Sequence, residues 1–318
     1  MPPKRDQRTL IAAARLYYVE GLDQGAVATR LGVSRSSVSR MLATARAEGL
    51  VQVRIVGDDH AERNRDIEAE LMRRFGLREV LVAQATNSAE GSRGVAMLAA
   101  EVFMRRAPSA SRIGFSWGLT IGALIDAIPT EPMRTDTRVT PLVGGMPTLD
   151  TGLEGNSYIQ LLAEKIQAIP ERFDAPAIVE SPQTYAAMMS ESTIKATLAR
   201  VKASELAFVG IGSFGVHTSR QVLAAMKLND DEMAQVLASS PVGDVLGRYF
   251  DVHGTPLGPP ASDRVIGITI EDLRAIDCTV AVASSREKAR GALGALRTGA
   301  IDILVVDEAL AAGVLTLA

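Results

Sequence analysis

The chain has 318 residues, of which 47 % are hydrophobic and 22 % are charged, and its formal net charge is −3. This composition excludes a disordered or fibrous chain, and the length exceeds what one small domain needs, so we expect two folded domains. The charge is unevenly divided, because residues 1–56 hold nine Lys and Arg against four Asp and Glu while the remainder is acidic. A basic head on an acidic body is typical of a nucleic-acid-binding domain joined to a different second domain.

The first predicted element is an amphipathic helix over residues 7–20. Its apolar residues recur at helical spacing, so one face is expected to pack against the elements that follow. These apolar residues are Leu10, Ile11, Ala14, Leu16 and Tyr17.

Residues 24–46 are predicted to form two helices joined by a tight turn. Gly32 ends the first helix, because glycine adopts a left-handed conformation without steric cost, and Ser34 is a good N-cap for the second. Apolar residues give each helix a buried face: Val27, Ala28 and Leu31 in the first, and Val38, Met41 and Leu42 in the second. This spacing indicates a helix-turn-helix whose second helix enters the major groove of DNA; the alternative is a helical hairpin with a solvated basic face.

The outward face of the second helix carries short polar and basic side chains. Arginine and serine donors of this kind hydrogen-bond base edges or phosphates. The residues expected to bind DNA are Arg35, Ser36, Ser37, Ser39, Arg40 and Arg46.

A domain boundary is predicted at Gly57. Residues 51–56 alternate apolar and polar positions, as a short strand does, and would form the edge of a winged variant of the motif. We therefore expect a DNA-binding domain over 1–57, and an effector-binding and oligomerisation domain over 58–318. The second domain begins with a charged helix over residues 60–76.

From residue 78 onward, predicted strands alternate with predicted helices. This order is typical of a doubly wound, mostly parallel sheet with helices on both faces, an α/β fold. The strands are 79–85, 112–118, 138–145, 206–213, 279–284 and 301–307, the helices are 92–106, 119–128, 156–168, 286–299 and 308–315, and the loops rich in Gly and Pro are 146–155 and 241–263.

Ligands of open α/β sheets bind beyond the carboxyl ends of the strands. The turn from Ser116 to Thr120 joins a strand to a helix, and its hydroxyls and free amides would hold a phosphate or sugar hydroxyls. The alternative is an ordinary connection. Trp117 in this turn is expected to lie in the core rather than to form a platform for the ligand. Lys288 lies in the first turn of a predicted helix, where a lysine is unfavourable without an anionic partner; a solvated surface lysine is the alternative.

Other strand ends carry glycines, which allow close approach of a ligand to the backbone, or carboxylates, which accept hydrogen bonds from vicinal hydroxyls. The carboxylates lie in a stretch expected to form a lid over the sheet, although either is also compatible with a turn-stabilising aspartate. These residues are Gly144, Gly145, Asn156, Gly212, Ser213, Asp244 and Asp251.

The chain has one cysteine, Cys278, which excludes an intramolecular disulfide and suits a reducing cytosol. No apolar run is long enough to span a bilayer, no signal peptide is apparent, and no spacing suggests a metal. We expect a cytoplasmic protein with no membrane partner, cofactor or metal.

The chain resembles the SorC family of sugar-responsive transcription regulators. The resemblance runs in order through LGVSRSSVSRML, IGFSWGLT, PLVGG, AFVGIGSFG, VGDVLGRYFDVHG, RVIGITIEDLR and REKARGALGALRTGAIDILVVDEALA. It implies a helix-turn-helix followed by a sugar-binding domain similar to phosphosugar isomerases, an operator DNA partner, and assembly into dimers or tetramers. The implied effector-binding residues are Ser116, Gly118, Leu119, Thr120, Gly144, Gly145, Asn156, Gly212, Ser213, Asp244, Asp251 and Lys288. The family often has two glycines where this chain has Ser284 and Ser285, which leaves a sugar phosphate and a free sugar or polyol both open.

The resulting prediction is a regulator, more often a repressor, of a carbohydrate or polyol catabolic operon, with no catalytic residues. The alternative is a sugar-phosphate isomerase or deaminase with a DNA-binding head, in which Asp244 or Asp251 would be the base and Lys288 the phosphate anchor. A third possibility is a scaffold that binds DNA without a ligand.

Overall fold

The computed structural model describes residues 7–47, 50–51, 61–134, 136–146 and 155–318. The chain divides into two compact units, Met1–Asp59 and His60–Ala318. The predicted wing strand, beyond its first residue, and the predicted boundary at Gly57 lie outside the described residues.

The first unit is helical. Helix α1 (Gln7–Ala14) continues as a π-helical turn (Arg15–Val19), and α2 (Gln24–Leu31) and α3 (Arg35–Ala47) follow. The prediction that Ile11 packs inward is wrong, because Leu10, Ala13 and Ala14 form the buried face of α1 and Ile11 is 42 % exposed beside it. The buried side chains of the three helices form one apolar core: Leu10, Ala13, Ala14, Leu16, Val27, Ala28, Val38, Met41, Leu42 and Ala45.

The second unit contains ten described strands. They are β1 (Glu79–Ala83), β2 (Arg112–Phe115), β3 (Arg138–Pro141), β4 (Ile169–Pro170), β5 (Leu206–Gly210), β6 (Gly212–Ser213), β7 (Gly243–Val245), β8 (Arg248–Phe250), β9 (Cys278–Ala283) and β10 (Ile303–Asp307).

Eleven described α-helices belong to this unit. They are α4 (Arg65–Phe75), α5 (Ser88–Arg106), α6 (Leu119–Ala127), α7 (Gly155–Ile166), α8 (Pro182–Ser190), α9 (Ser192–Lys202), α10 (His217–Ala225), α11 (Asp230–Ala238), α12 (Ile270–Arg274), α13 (Ala289–Arg297) and α14 (Glu308–Leu317).

Seven strands form a parallel sheet in the order β1-β10-β9-β5-β2-β3-β4. The chain leaves β2 toward β3 on one side and leaves β5 toward β9 on the other. The carboxyl ends of β2 and β5 therefore border a topological switch point, where open α/β sheets leave a crevice.

Helices cover both faces of the sheet, as predicted. Successive residues of β5 alternate between two cores: Phe208 packs with Phe103 and Phe115, whereas Ala207 and Val209 belong to the opposite face. The fold class is thus a doubly wound α/β unit preceded by a helix-turn-helix unit.

The stretch 241–263, predicted as a loop, contains β7 and β8. With β6 they form a separate antiparallel sheet, joined by a hairpin whose turn residues Leu246 and Gly247 both have positive φ angles, 59° and 74°. Proline and glycine in this stretch favour a loop from sequence, but turns of this type use such residues while the flanking strands pair. Helices α8 to α12 were also not predicted.

Candidate functional site

The turn between α2 and α3 has the predicted geometry. Gly32 has φ +66°, and its amide bonds back to the end of α2. The Ser34 hydroxyl accepts a hydrogen bond from the Ser37 amide at 3.3 Å, capping α3. The carboxylate of Asp23 caps α2 by accepting from the Gly25 and Ala26 amides at 2.7 and 2.8 Å. These caps fix the path of the chain between the two helices.

The outward face of α3 consists of polar and basic side chains. Arg35, Ser36, Ser39, Arg40 and Arg46 are exposed and Ser37 is partly exposed, whereas Val38, Met41 and Leu42 are buried. The Arg40 Nε donates to the Ser36 carbonyl at 3.3 Å, so its side chain lies along the helix. Such a face offers hydrogen-bond donors that match guanine and phosphate acceptors.

A cavity of about 540 Å³ lies at the carboxyl ends of β2, β5 and β9. Its walls come from the turn after β2, the segment from β5 into α10, the β7–β8 hairpin, the segment after β9 and the start of α5. The predicted site residues that line it are Ser116, Gly118, Leu119, Thr120, Gly212, Asp244 and Lys288.

Ser116 ties the two strands of the switch point together. Its hydroxyl accepts from the Gly210 amide at 2.9 Å and donates to the Trp117 carbonyl at 3.2 Å. These bonds use the hydroxyl's donor and one acceptor position, so Ser116 shapes the cavity floor more than it binds a ligand. Trp117 is buried, as expected, and it also lines the cavity.

Gly118 turns the chain from β2 into α6. Its φ and ψ are +114° and 163°, a region closed to residues with a side chain. The first amides of α6 have no intrahelical partners, Leu119 and Thr120 line the cavity, and the Thr120 hydroxyl makes no hydrogen bond within the described part of the chain. Leu119 adds an apolar side chain that is 63 % exposed.

Asp244 is the buried carboxylate of the site. It is only 6 % exposed, its Oδ2 accepts from the Gly247 amide at 3.2 Å, and its Oδ1 meets no hydrogen-bond partner among the described residues. It pairs across the small sheet with Gly212, where any side chain would collide with this Oδ1. Burial raises the pKa of Asp244, and the Ser219 hydroxyl, the Gly247 amide and the Lys288 charge oppose that rise.

Lys288 supplies the cationic group. Its side chain is partly buried and makes no hydrogen bond or ion pair with a described residue. Burial lowers the pKa of Lys288, while the nearby carboxylates of Asp244 and Asp307 act in the opposite direction. An amine and a carboxylate that both lack a full set of partners can together bind neighbouring ligand hydroxyls.

Two exposed residues pair at the cavity wall. The His217 Nε2 lies 3.2 Å from a Glu287 carboxylate oxygen, and both side chains line the cavity.

Some residues that line the cavity were not predicted as site residues. They include His217, Thr218, Ser219, Ser88 and Ser92. The signal that helps find the first three is GIGSFGVHTS, a glycine-rich strand end followed by hydroxyl residues, but α10 was not predicted to start there.

Five residues predicted to line the site lie outside the cavity. The amides of Gly144 and Gly145 bond the carbonyls of Ile266 and Ala175 at 3.0 and 2.9 Å. A Cβ at Gly144 would meet the backbone of residues 175–176, so the close approach here is to protein rather than ligand.

The other three also have local structural roles. Asn156 is hydrogen-bonded to the backbone of Phe173, and the Ser213 hydroxyl lies 3.4 Å from the Val242 carbonyl. Asp251 stabilises a turn, because its Oδ1 accepts from the amides of His253 and Thr255, both at 2.9 Å. The interpretation of Asp251 as part of a lid is therefore replaced by its alternative, a turn-stabilising aspartate.

In the described part of the chain, no group of three or more His, Cys, Asp or Glu is arranged to hold a metal ion. The described helices also include none that is both long and apolar enough to cross a membrane.

Comparisons with known proteins give one consistent result. Residues 59–316 match the family model described as "Putative sugar-binding domain". The chain is 28 % identical to the sorbitol operon regulator of Klebsiella pneumoniae over 306 residues, covering 95 % of this chain and 96 % of the regulator. It is 26 % identical to the deoxyribonucleoside regulator of Bacillus subtilis, covering 96 % of each chain.

Solved structures agree with the sequence relatives. The full-length sorbitol operon regulator SorC from Klebsiella pneumoniae superposes with a TM-score of 0.72 at 26 % identity, covering 97 % of this chain and 98 % of that one. The sugar-binding domain of a transcriptional repressor from Vibrio fischeri gives 0.73 at 29 % identity, covering 80 % of this chain and 99 % of the domain. These relatives are named as regulators and not as enzymes, so the isomerase alternative is not supported. The chain belongs to the SorC family of transcription regulators with a sugar-binding domain.

Proposed function

We propose that this protein binds an operator through α3 and releases it when a carbohydrate or polyol occupies the cavity of the α/β unit. The observation that carries the proposal is that one chain joins an arginine-bearing helix-turn-helix to a sugar-binding domain whose cavity holds a buried carboxylate. The DNA-binding part is residues 1–57 and the effector-binding and oligomerisation part is residues 58–318. Such a regulator works in the cytoplasm, where its operator lies.

In the DNA-bound state, Arg35 and Arg40 read base edges and Arg46 contacts phosphate. A bidentate arginine–guanine pair contributes about 1–3 kcal/mol of discrimination against the wrong base. Two subunits set their recognition helices in successive major grooves, about 34 Å or a multiple apart, so the active form is a dimer or a tetramer.

In the effector-bound state, Asp244 accepts hydrogen bonds from two adjacent hydroxyls and Lys288 donates to another ligand oxygen. The first amides of α6 and the Thr120 hydroxyl complete the polar surface, and Leu119 covers an apolar edge of the ligand. Support comes from the convergence of these groups on one cavity at the switch point.

Repression of a catabolic operon is the form of regulation we propose. Support for a catabolic operon comes from a relative named a sorbitol operon regulator, and support for repression comes from the similar domain of a Vibrio fischeri protein named a transcriptional repressor. An effector shifts the DNA-binding equilibrium only by its differential affinity for the two states of the protein.

The test of DNA recognition is Arg40→Ala, with operator sites first selected from genomic fragments by the wild-type protein. We expect loss of specific binding with an almost unchanged melting temperature, because the side chain is exposed. Arg74→Ala is the matched control, an exposed arginine on α4 in the other unit, and it should bind normally. Operator binding by Arg40→Ala at wild-type affinity would contradict the proposed role of α3.

A further inference from the structure

The charges around the cavity do not match a phosphate group. Lys288 is the one Lys or Arg side chain lining it among the described residues. Its charge already faces the carboxylates of Asp244 and Asp307, and Glu287 is a further acidic residue of the wall. A phosphate monoester carries a charge of about −1.5 to −2 at neutral pH, and a buried charge of that size needs cationic partners.

In the segment after β9, the Ser285 amide is not available to bind an anion. The Ser285 amide donates to the Asp307 Oδ2 at 2.8 Å, so it is not free to bind a ligand oxygen. The Asp307 Oδ1 accepts from the Leu310 amide at 2.7 Å, which caps α14 and holds this carboxylate in place. A fixed carboxylate at this position opposes a second negative charge nearby.

Hydroxyl side chains, rather than additional cationic ones, line this part of the cavity. The Ser284 and Ser92 hydroxyls are 3.0 Å apart and join the segment after β9 to α5. Ser285 lines the cavity and its hydroxyl makes no hydrogen bond within the described part of the chain. Thr120 and Thr218 also line the cavity, and their hydroxyls make no hydrogen bond within the described part of the chain. Hydroxyls both donate and accept, so they match the hydroxyls of an uncharged sugar or polyol.

Ser285 is held in a conformation that favours glycine. Its φ is +85° and its ψ is 129°, so the serine is strained where glycine would not be. Backbone strain of this kind is concentrated at functional sites, where the strained residue contributes to ligand binding.

Resting on the proposed function, we propose that the effector is an unphosphorylated sugar or polyol, and that Ser285 is a specificity-determining residue that hydrogen-bonds one of its hydroxyls. The amides at the start of α6 then bind hydroxyl oxygens rather than a phosphate. Asp244 and Lys288 bind the remaining hydroxyls of the same ligand.

Matched pairs of ligands test the charge preference of the full-length protein. Calorimetry compares sorbitol, xylitol, erythritol and ribose, each with its own phosphate monoester, and millimolar inorganic phosphate serves as an anion probe. We expect a neutral member to bind at least about tenfold more tightly than its phosphate. We also expect inorganic phosphate to leave the melting temperature unchanged.

Two glycine variants test the role of Ser285. Ser285→Gly should keep or raise the melting temperature, weaken the neutral ligand about tenfold and strengthen its phosphate. Ser240→Gly is the matched control, since Ser240 also has a positive φ, 50°, but does not line the cavity, and it should leave both affinities unchanged.

The two possible failures are distinguishable. Tighter binding of a phosphate than of its own neutral sugar, or a rise in melting temperature with inorganic phosphate that Lys288→Met abolishes, overturns the inference and leaves the regulator intact. If no member of any pair binds or changes operator affinity, the inference and the proposed effector control both fail.

Discussion

Asp244 is held in the cavity with one carboxylate oxygen bound to the Gly247 amide and the other without a described partner. Buried polar atoms are normally hydrogen-bonded, so a native structure keeps an unpaired one at a cost in stability. A ligand hydroxyl that donates to Oδ1 removes that cost on binding. We therefore expect Asp244 to lower the stability of the free protein and to strengthen its complex with the proposed effector.

Asp244→Asn should stabilise the free protein above pH 4. The pKa of Asp244 is raised on folding, so the folded state binds more protons than the unfolded state, and stability falls as pH rises from about 4 through the folded pKa. An asparagine does not titrate, so the variant lacks this loss of stability. Urea unfolding at a series of pH values should show a flatter pH dependence for the variant than for the wild type.

The same variant should lose effector affinity, measured by calorimetry. Asp251→Asn is the control, since Asp251 lies outside the cavity, and it should bind effector as the wild type does. An unchanged pH slope in Asp244→Asn, or an effect of Asp251→Asn on effector affinity, would contradict these assignments.

Lys288→Met should leave operator binding intact but abolish the response to effector. Methionine keeps an apolar stem in the partly buried site while removing the donor. Lys195→Met, on the exposed face of α9, provides the control. Fluorescence anisotropy of a labelled operator during effector titration measures both variants, and a wild-type response in Lys288→Met would exclude the amine from the site.

At the scale of elements, the helix-turn-helix depends on a left-handed turn at Gly32. A Cβ there would meet no atom within 4 Å, so the cost of a substitution is purely one of backbone conformation. Gly32→Ala should destabilise the first unit by about 1 kcal/mol and weaken operator binding. Circular dichroism melting and gel shift check this; a variant as stable as the wild type would show that the turn tolerates a side chain.

The same elements show what a sequence can predict. The caps at Gly32 and Ser34 are local, so spacing and residue type sufficed, and the apolar strands of the parallel sheet were equally clear. Asp244 was selected correctly as a cavity residue, but Asp251 was not distinguishable from it. Both aspartates lie in the same stretch GDVLGRYFDVHG, and only the pairing of β6 with β7 places Asp244 at the cavity.

Other residues depend on contacts distant along the chain. Gly144 and Asn156 were predicted at the site because their strand ends at the same edge of the sheet. In the structure, residues 175–176 lie directly against Gly144, whose amide donates to the Ile266 carbonyl, and Asn156 is hydrogen-bonded to the backbone of Phe173. His217 and Thr218 were missed because α10 begins after Val216 without a side-chain cap, which is a local signal that marks a helix start.

At the scale of the whole molecule, the uneven charge has a measurable consequence. The first unit is basic and the remainder acidic, so we expect the phosphate contacts to come from the first unit. The logarithm of operator affinity should fall linearly with the logarithm of salt concentration, with a slope of about −0.9 for each phosphate neutralised. Arg46→Ala should make this slope less negative by about one, and an unchanged slope would exclude Arg46 from phosphate contact.

The central proposal is that the cavity and α3 are thermodynamically coupled. Coupling is reciprocal: an effector that weakens operator affinity by some factor has its own affinity weakened by operator by the same factor. The most direct measurement is calorimetry of effector binding to the full-length protein, with and without saturating operator DNA, beside an anisotropy titration of operator with and without effector. We expect both factors to be equal and well above one, and equal to one in Lys288→Met. An effector that binds the wild type with the same affinity whether or not operator is present would contradict the proposal.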